Sequence, residues 1–458
     1  MAAPWFYRVA WGGALALTSP YLLGRSLARP GEMRERLGRW PPLPESATRG
    51  VWVHAASVGE ARAARALLRA LADRQLPLLL SVVTPAARSL EAELMAAGAA
   101  AVRHAPLDFA PFVRRALSAA RPRAILFVET EIWPELLAQA LQGGIPTGFV
   151  SARLTPASGR RLARARPLLG AGLGRVHVGA QSAADAGRWR LLGIPDGQVR
   201  VTGNLKYERP RGPLPRSERE AARRGWRQVL VFGSVRGGEI AAIARALQGC
   251  RDLPGPTLVV LAPRHPQRTL ARLRRAIGAE WRVHERWNRD PLLVPPALPL
   301  DSGAPAAGLA DAGPAPLSAA SSPEHAVLLL GTVGELRDFY AVADAAFVGG
   351  TLNLVGGHNL FEAAELGVPV LFGPHTGNVE DVAAALLETG GGRRVADGED
   401  LARAIRDWLA DPASLAAASR GALQAAERLG GALGRTLEAL HDWGFPLDGP
   451  RPHSEAAP

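Results

Sequence analysis

VWVHAASVGEARAARALLRALADRQLPLLLSVV, residues 51–83, decides the fold class. VWVHA is a short apolar run rich in β-branched side chains, and a turn of small residues follows it. Ala, Leu and Arg then recur at helical spacing before LPLLLSVV resumes the apolar run. Two buried strands joined by a helix must run in the same direction, because the helix carries the chain back to the starting edge of the sheet. The pattern continues at AILFVET (124–130) and IPTGFVS (145–151), with helices expected over 60–71 and 131–142. A second series, QVLVFGS, PTLVVLAP, HAVLLLG, AAFVGG and PVLFGP, begins after the Pro/Arg-rich stretch 209–216. The expectation is an α/β protein of two Rossmann-like doubly wound domains facing across a cleft, with ligands at the carboxyl ends of the strands.

The 458 residues suffice for two such domains, each with a full core. The expected division is 1–30 as a membrane anchor or interfacial helix, 31–208 as the first domain, 209–445 as the second and 446–458 as a frayed tail. Residues 291–323, rich in Pro, Ala and Gly and free of aromatic side chains, read as a mobile insertion in the second domain. The single cysteine, Cys250, excludes an intramolecular disulfide and any cysteine metal cluster, and suits a reducing compartment. A net charge of +12 favours an anionic partner, but the arginines are scattered rather than gathered in an aromatic-interleaved stripe, which speaks against nucleic acid. Residues 5–24 are apolar apart from Arg8, and Arg25, Arg29, Arg34, Arg36 and Arg39 follow at once. That order suits an interfacial or spanning helix at an anionic cytoplasmic membrane face; a buried N-terminal helix is the alternative.

Several strings can carry chemistry. In HAASVGE (54–60) a strand runs through a small turn into a helix, which sets Glu60 in the first helical turn, either as a carboxylate complementing the macrodipole or as a general base. VETEIWPELL (128–137) puts Glu129 and Glu131 at a strand end, where alternation sends both to the same side, with Trp133 behind them. Lys206, in VTGNLKYE, is the one lysine among 54 basic residues, so a compact point charge aimed at a phosphate or a developing anion is the sharp reading of it. GSVRGGE (233–239) offers Ser234 and glycine-rich backbone N–H groups to a phosphate, although it is not a Walker loop. APRHP (262–266) sets Arg264 and His265 after another strand. In the run 347–381, two Gly-Gly turns precede His358, Asn359 and Glu362 at a helix start, which fits either a phosphate and ribose contact or a capping box. No HExxH, DxD or Cys/His cluster is present, so metal-independent chemistry is expected.

Taken in order, RERLG (34–38), HAASVGE, APLD (105–108), VETEIWP, SARL (151–154), TGNLK, PRHP, GEL, GGHNLFEAA and FGPHTGNVED resemble the 3-deoxy-D-manno-octulosonic acid (Kdo) transferases of lipopolysaccharide synthesis, from about Arg34 to Asp381. The resemblance implies a GT-B fold and an inverting transfer of Kdo from CMP-Kdo to a lipid A precursor (lipid IVA) at the cytoplasmic face of the inner membrane, with no cofactor. It further implies that Glu60 is the general base and that Glu131 and Lys206 stabilise the transition state. Arg264, His265, Val333, Gly334, Glu335, Asn359, Leu360, Phe361 and Glu362 are the implied CMP-binding residues. Three positions depart from the family pattern: Gly331 replaces an Asp, Thr84-Pro85-Ala86-Ala87 replaces a glycine-containing turn, and Ser151 replaces an Asn. A nucleotide-sugar epimerase and a non-catalytic membrane module are the competing classes.

Overall fold

The computed structural model describes residues 27–207, 212–277, 281–286, 325–332 and 334–448, together with 7–9, 12, 13, 18 and 24; the side chains of 165–171 are outside that description. The chain divides into two compact units, Met1–Glu208 with Gly431–Pro458, and Arg209–Gly430.

The first unit is built on a parallel sheet of β1 (Val51–Ala55), β2 (Leu78–Val82), β3 (Ala101–His104), β4 (Ala124–Val128), β5 (Thr147–Ala152), β6 (His177–Ala180) and β7 (Val199–Val201), in the spatial order β3-β2-β1-β4-β5-β6-β7. Alternation along each strand divides the side chains between two cores. Val51, Val53 and Ala55 pack with Leu80 and Leu126 under the helix Val58–Ala72. On the opposite face Trp52 shares a second core with Ile125, Phe127, Phe149 and Trp189. Because helices cover both faces, the strands read as continuous apolar runs. β1 and β4 are neighbours, yet the chain leaves them toward opposite edges of the sheet. Such a switch point opens a crevice at the carboxyl ends of those two strands.

The second unit repeats the design with β8 (Gln228–Val235), β9 (Thr257–Pro263), β10 (Arg282–Arg286), β11 (His325–Leu330), β12 (Ala345–Val348), β13 (Val370–Phe372) and β14 (Gly392–Arg394), ordered β10-β11-β9-β8-β12-β13-β14. Its switch point lies between β8 and β12.

Several expectations need correction. The second unit ends at Gly430 rather than at 445, because Gly431, with φ +73°, turns the chain into the helix Ala432–Asp442, which returns to the first unit. There Arg435 Nε donates to the Thr202 carbonyl at 3.1 Å, and Leu440, Phe445 and Leu447 enter the core. Leu447, in the tail expected to fray from 446, is therefore packed; 449–458 lie outside the described residues. The helix expected over 131–142 begins only at Pro134, since proline supplies the first helical position and Glu129, at φ +61°, breaks the strand before it. For the same reason Glu129 and Glu131 are not partners in strand alternation. The insertion 291–323 and most of 5–24 lie outside the described residues. Among the described residues no helix is long and apolar enough to cross a membrane. Arg36, read as part of a membrane-facing series, is engaged within the first unit through Glu32 and the Val83 carbonyl, whereas Arg29, Arg34 and Arg39 are exposed.

Candidate functional site

The switch point of the first unit gathers acidic side chains. Ser57 caps the helix that follows β1, its hydroxyl accepting the Glu60 N–H at 3.3 Å. Glu60 folds back over the turn, where its carboxylate accepts the Ala56 N–H at 2.6 Å and the Ser57 hydroxyl at 2.9 Å. The helix start thus fixes the carboxylate in one place. Burial pushes the Glu60 carboxyl above its ordinary value, those hydrogen bonds pull it back, and the charge of Glu129 adds to the rise. Glu131 is raised as well, first by burial and then by the negative charges of Glu60 and Glu129, against the hydrogen bond it accepts from Trp133 Nε1 at 3.0 Å. Close, half-buried carboxylates with raised pKa hold a proton more tightly than free ones, which makes the ionised form a stronger base for an acceptor hydroxyl.

Lys206 reaches this cluster through Glu129, with Nζ 2.6 Å from Oε1. Its backbone is set by a second strained residue. Ser151, at φ +54° and fully buried, accepts the Leu205 N–H at 3.2 Å and donates to Asn204 Oδ1 at 3.3 Å, and that oxygen also accepts the Lys206 N–H at 3.0 Å. Asn adopts a left-handed backbone more readily than Ser, so the serine here exchanges ease of backbone for a compact hydroxyl that fits the buried turn. Behind the loop lies His54, wholly buried, with Nδ1 2.8 Å from Ser81 Oγ and its ring edge-on to Trp133 at 5.2 Å. Desolvation drives its pKa down to about 3, so it is a neutral wall of the site.

In the second unit the switch point collects positive charge around glycine turns. Ser234, at φ +55°, sits at the irregularity where β8 and β9 lose register, and Arg236 follows. Arg236 Nε donates to His358 Nε2 at 3.1 Å, and its Nη1 lies 3.5 Å from His265 Nε2. Burial and the charges of Arg236, Arg264 and His265 lower His358 to about 4, so it is neutral and able to accept that bond. Glu239 organises the floor. It is 1% exposed and accepts N–H groups from Arg236 (2.9 Å), Gly350 (2.9 Å), Thr351 (3.1 Å) and Leu352 (3.1 Å), fastening the turn after β12 to the turn after β8. A Cβ on Gly349 would stand 2.7 Å from both Glu239 Oε2 and the Ser234 carbonyl, so only glycine lets the two turns close. Asn359 Nδ2 donates to Glu362 Oε1 at 3.0 Å, and burial raises the Glu362 carboxyl while Asn359, Arg337 and Arg264 oppose it.

Among the expected residues, Glu60 and Glu131 come together with Lys206 in the first unit. In the second, Arg264 and His265 act on His358, Arg264 and Asn359 act on Glu362, and the Ser234 carbonyl adjoins Gly349, whereas Leu360 and Phe361 are buried. Glu335 is committed to Arg286 in a buried ion pair and also accepts from Thr332, which leaves its carboxylate little capacity for a ligand. Gly334, exposed at φ +94°, is a plain backbone turn beside it, and Val333 lies outside the described residues. Alternation pairs Glu129 with Glu131 rather than with Lys206, and Arg236 and Glu239 carry no role assigned from the sequence. The signal for Arg236 was its place one step before Gly-Gly at a strand end; a long-range carboxylate such as Glu239 leaves no local trace. Among the described residues no group of three or more His, Cys, Asp or Glu side chains is disposed to hold a metal ion.

A family model for 3-deoxy-D-manno-octulosonic-acid transferase (kdotransferase) matches residues 31–209. Among solved structures, a glycosyltransferase from Rickettsia africae superposes with a TM-score of 0.54 at 12% identity, covering 86% of this chain and 99% of its own. A UDP-GlcNAc 2-epimerase from Neisseria meningitidis, bound to UDP-GlcNAc, gives 0.54 at 14% identity over the same shares. At such identities these likenesses speak to the fold alone, a GT-B-like α/β protein with two parallel Rossmann-like sheets. The 3-deoxy-D-manno-octulosonic acid transferase of Bordetella pertussis is 36% identical over 460 residues, spanning 96% of this chain and 95% of the relative. At that identity and coverage, the chain belongs to the 3-deoxy-D-manno-octulosonic acid transferase family.

Proposed function

We propose that this protein transfers Kdo from CMP-Kdo to a lipid A precursor, with inversion and without a metal ion. In this reading Glu60 takes the proton from an acceptor sugar hydroxyl as that oxygen bonds to the anomeric carbon of Kdo. The bond from that carbon to the phosphate oxygen breaks at the same time, and CMP departs with the electron pair. Glu131 faces the positive charge that develops on the sugar ring, and Lys206, held by Glu129, faces developing negative charge. Arg236 and Arg264 meet the phosphate, with Asn359 and Glu362 in reach of the ribose hydroxyls. An apolar N-terminal segment beside the exposed Arg29, Arg34 and Arg39 supports action at the cytoplasmic face of an anionic membrane.

The observation that carries the proposal is the Glu60 carboxylate, fixed by its own helix start and raised in pKa at a strand switch point. Glu60→Gln should lower turnover by about 10²–10⁴-fold, the usual share of general-base assistance, and leave CMP affinity unchanged, as read by calorimetry. Incubation with CMP-Kdo alone and then with acceptor separates this from an epimerase, which would alter the donor without any lipid.

A further inference from the structure

Two buried carboxylates in the first unit take no part in the chemistry proposed above. Asp108 closes the Ala105–Asp108 string after β3, and Glu135 is the second residue of the helix Pro134–Gln142; their exposures are 2% and 0%. Trp133, at the N-cap of that helix, makes no side-chain cap bond. Asp108 caps the helix from a neighbouring loop instead, accepting the Glu135 and Leu136 N–H groups at 2.9 Å each. Adjacent buried carboxylates repel each other, and a buried anion is tolerated only when paired and hydrogen-bonded. The partners come from the far N-terminus. Tyr7 donates its hydroxyl to Asp108 Oδ2 at 2.6 Å, and Arg8 forks onto Glu135, Nε to Oε2 at 2.9 Å and Nη2 to Oε1 at 2.7 Å. Gln139 adds a bond to Glu135 Oε1 at 2.8 Å. The helix so capped begins one residue after Trp133, whose indole holds Glu131.

We infer that Tyr7 and Arg8 are positioning residues for the loop 129–133, so these two side chains act as a strut of the first unit in addition to any tethering role of the stretch they belong to. This explains the charge that interrupts an otherwise apolar stretch: Arg8 is matched to a buried carboxylate. The catalytic consequence rests on the proposed function, whereas the strut itself does not.

The test uses the full chain in detergent, with detergent-dispersed lipid A precursor as acceptor so that membrane attachment does not limit the rate. Two readouts are taken: amide hydrogen exchange over 129–142, which needs no activity, and steady-state kinetics. Arg8→Ala should speed exchange at residues 135–137 at least tenfold and lower kcat at least tenfold, with CMP affinity within twofold of wild type. Arg8→Lys, which restores charge but not the fork, should recover part of both. Tyr7→Phe, a gentler change in case Arg8→Ala does not fold, should speed exchange at the same amides by a smaller factor. Unchanged exchange in Arg8→Ala overturns the inference, as does unchanged turnover in a protein whose wild type transfers Kdo. Accelerated exchange in a protein whose wild type transfers nothing upholds the strut and rejects the proposed function.

Discussion

Glu60 shows how one pKa shift has two consequences of opposite sign. Its carboxyl titrates above the ordinary 4.5 of a glutamate, mainly through burial. As a base it must be ionised, so kcat/KM, which reports the free enzyme, should fall as pH drops through that raised value, with its acid limb above 4.5. For stability the protonated form is the favoured one in the fold. The Glu60 contribution is therefore present at low pH and is lost as pH rises from 4.5 through the folded value. Glu60→Gln, which cannot ionise, should gain on wild type across that window in urea titrations at stepped pH. Lys206 supplies a second test. Lys206→Met should lower kcat about tenfold or more, and Lys206→Arg should restore it only in part, because a planar fork cannot reproduce a point charge 2.6 Å from Glu129. At this scale the sequence pointed to Lys206 by composition and to Glu60 by its place in a helix start. It could not show that Glu129 is the lysine's partner, since the two stand 77 positions apart and only the neighbouring turns of the fold bring them together.

Among the elements, the pair of glycine turns was legible as turns but not as a fastened unit. What joins them is Glu239, which in a glycine-rich run looks like an ordinary helix-start acid. Glu239→Ala strips the acceptor from four backbone N–H groups at once. At about 1–3 kcal/mol for each buried group left unsatisfied, the loss after partial rescue by water should be at least about 3 kcal/mol in chemical denaturation, with CMP affinity falling in parallel. Gly349→Ala should act in the same direction, because its Cβ would collide with the Ser234 carbonyl. The strands that were legible are those covered on both faces, where burial demands an unbroken apolar run. β10 (RVHER) and β14 (GRR) escaped notice because edge strands are only half covered and keep their charges.

For the molecule as a whole, sequence periodicity was enough to yield two α/β units and their junction near 208, but not the return of the last segment. Ala/Leu-rich helices look alike whichever core they serve, so only the partners of Leu440, Phe445 and Leu447 decide the matter. Burying one such side chain is worth about 1.5–3 kcal/mol, and losing three approaches the whole margin of a domain, about 5–15 kcal/mol. Deleting 431–458 should therefore unfold the first unit while leaving the second intact, giving a protein that still binds CMP but exposes the 31–208 region to protease. A fragment of residues 209–430 should melt cooperatively by itself.

The same return sets an order of events during synthesis. The residues made first wait for those made last: the sheet beginning at Val51 lacks part of its filling until Phe445 and Leu447 leave the ribosome, while everything from 209 to 430 is already free to settle. The second unit is thus complete in the chain while the first still lacks side chains that fill its sheet.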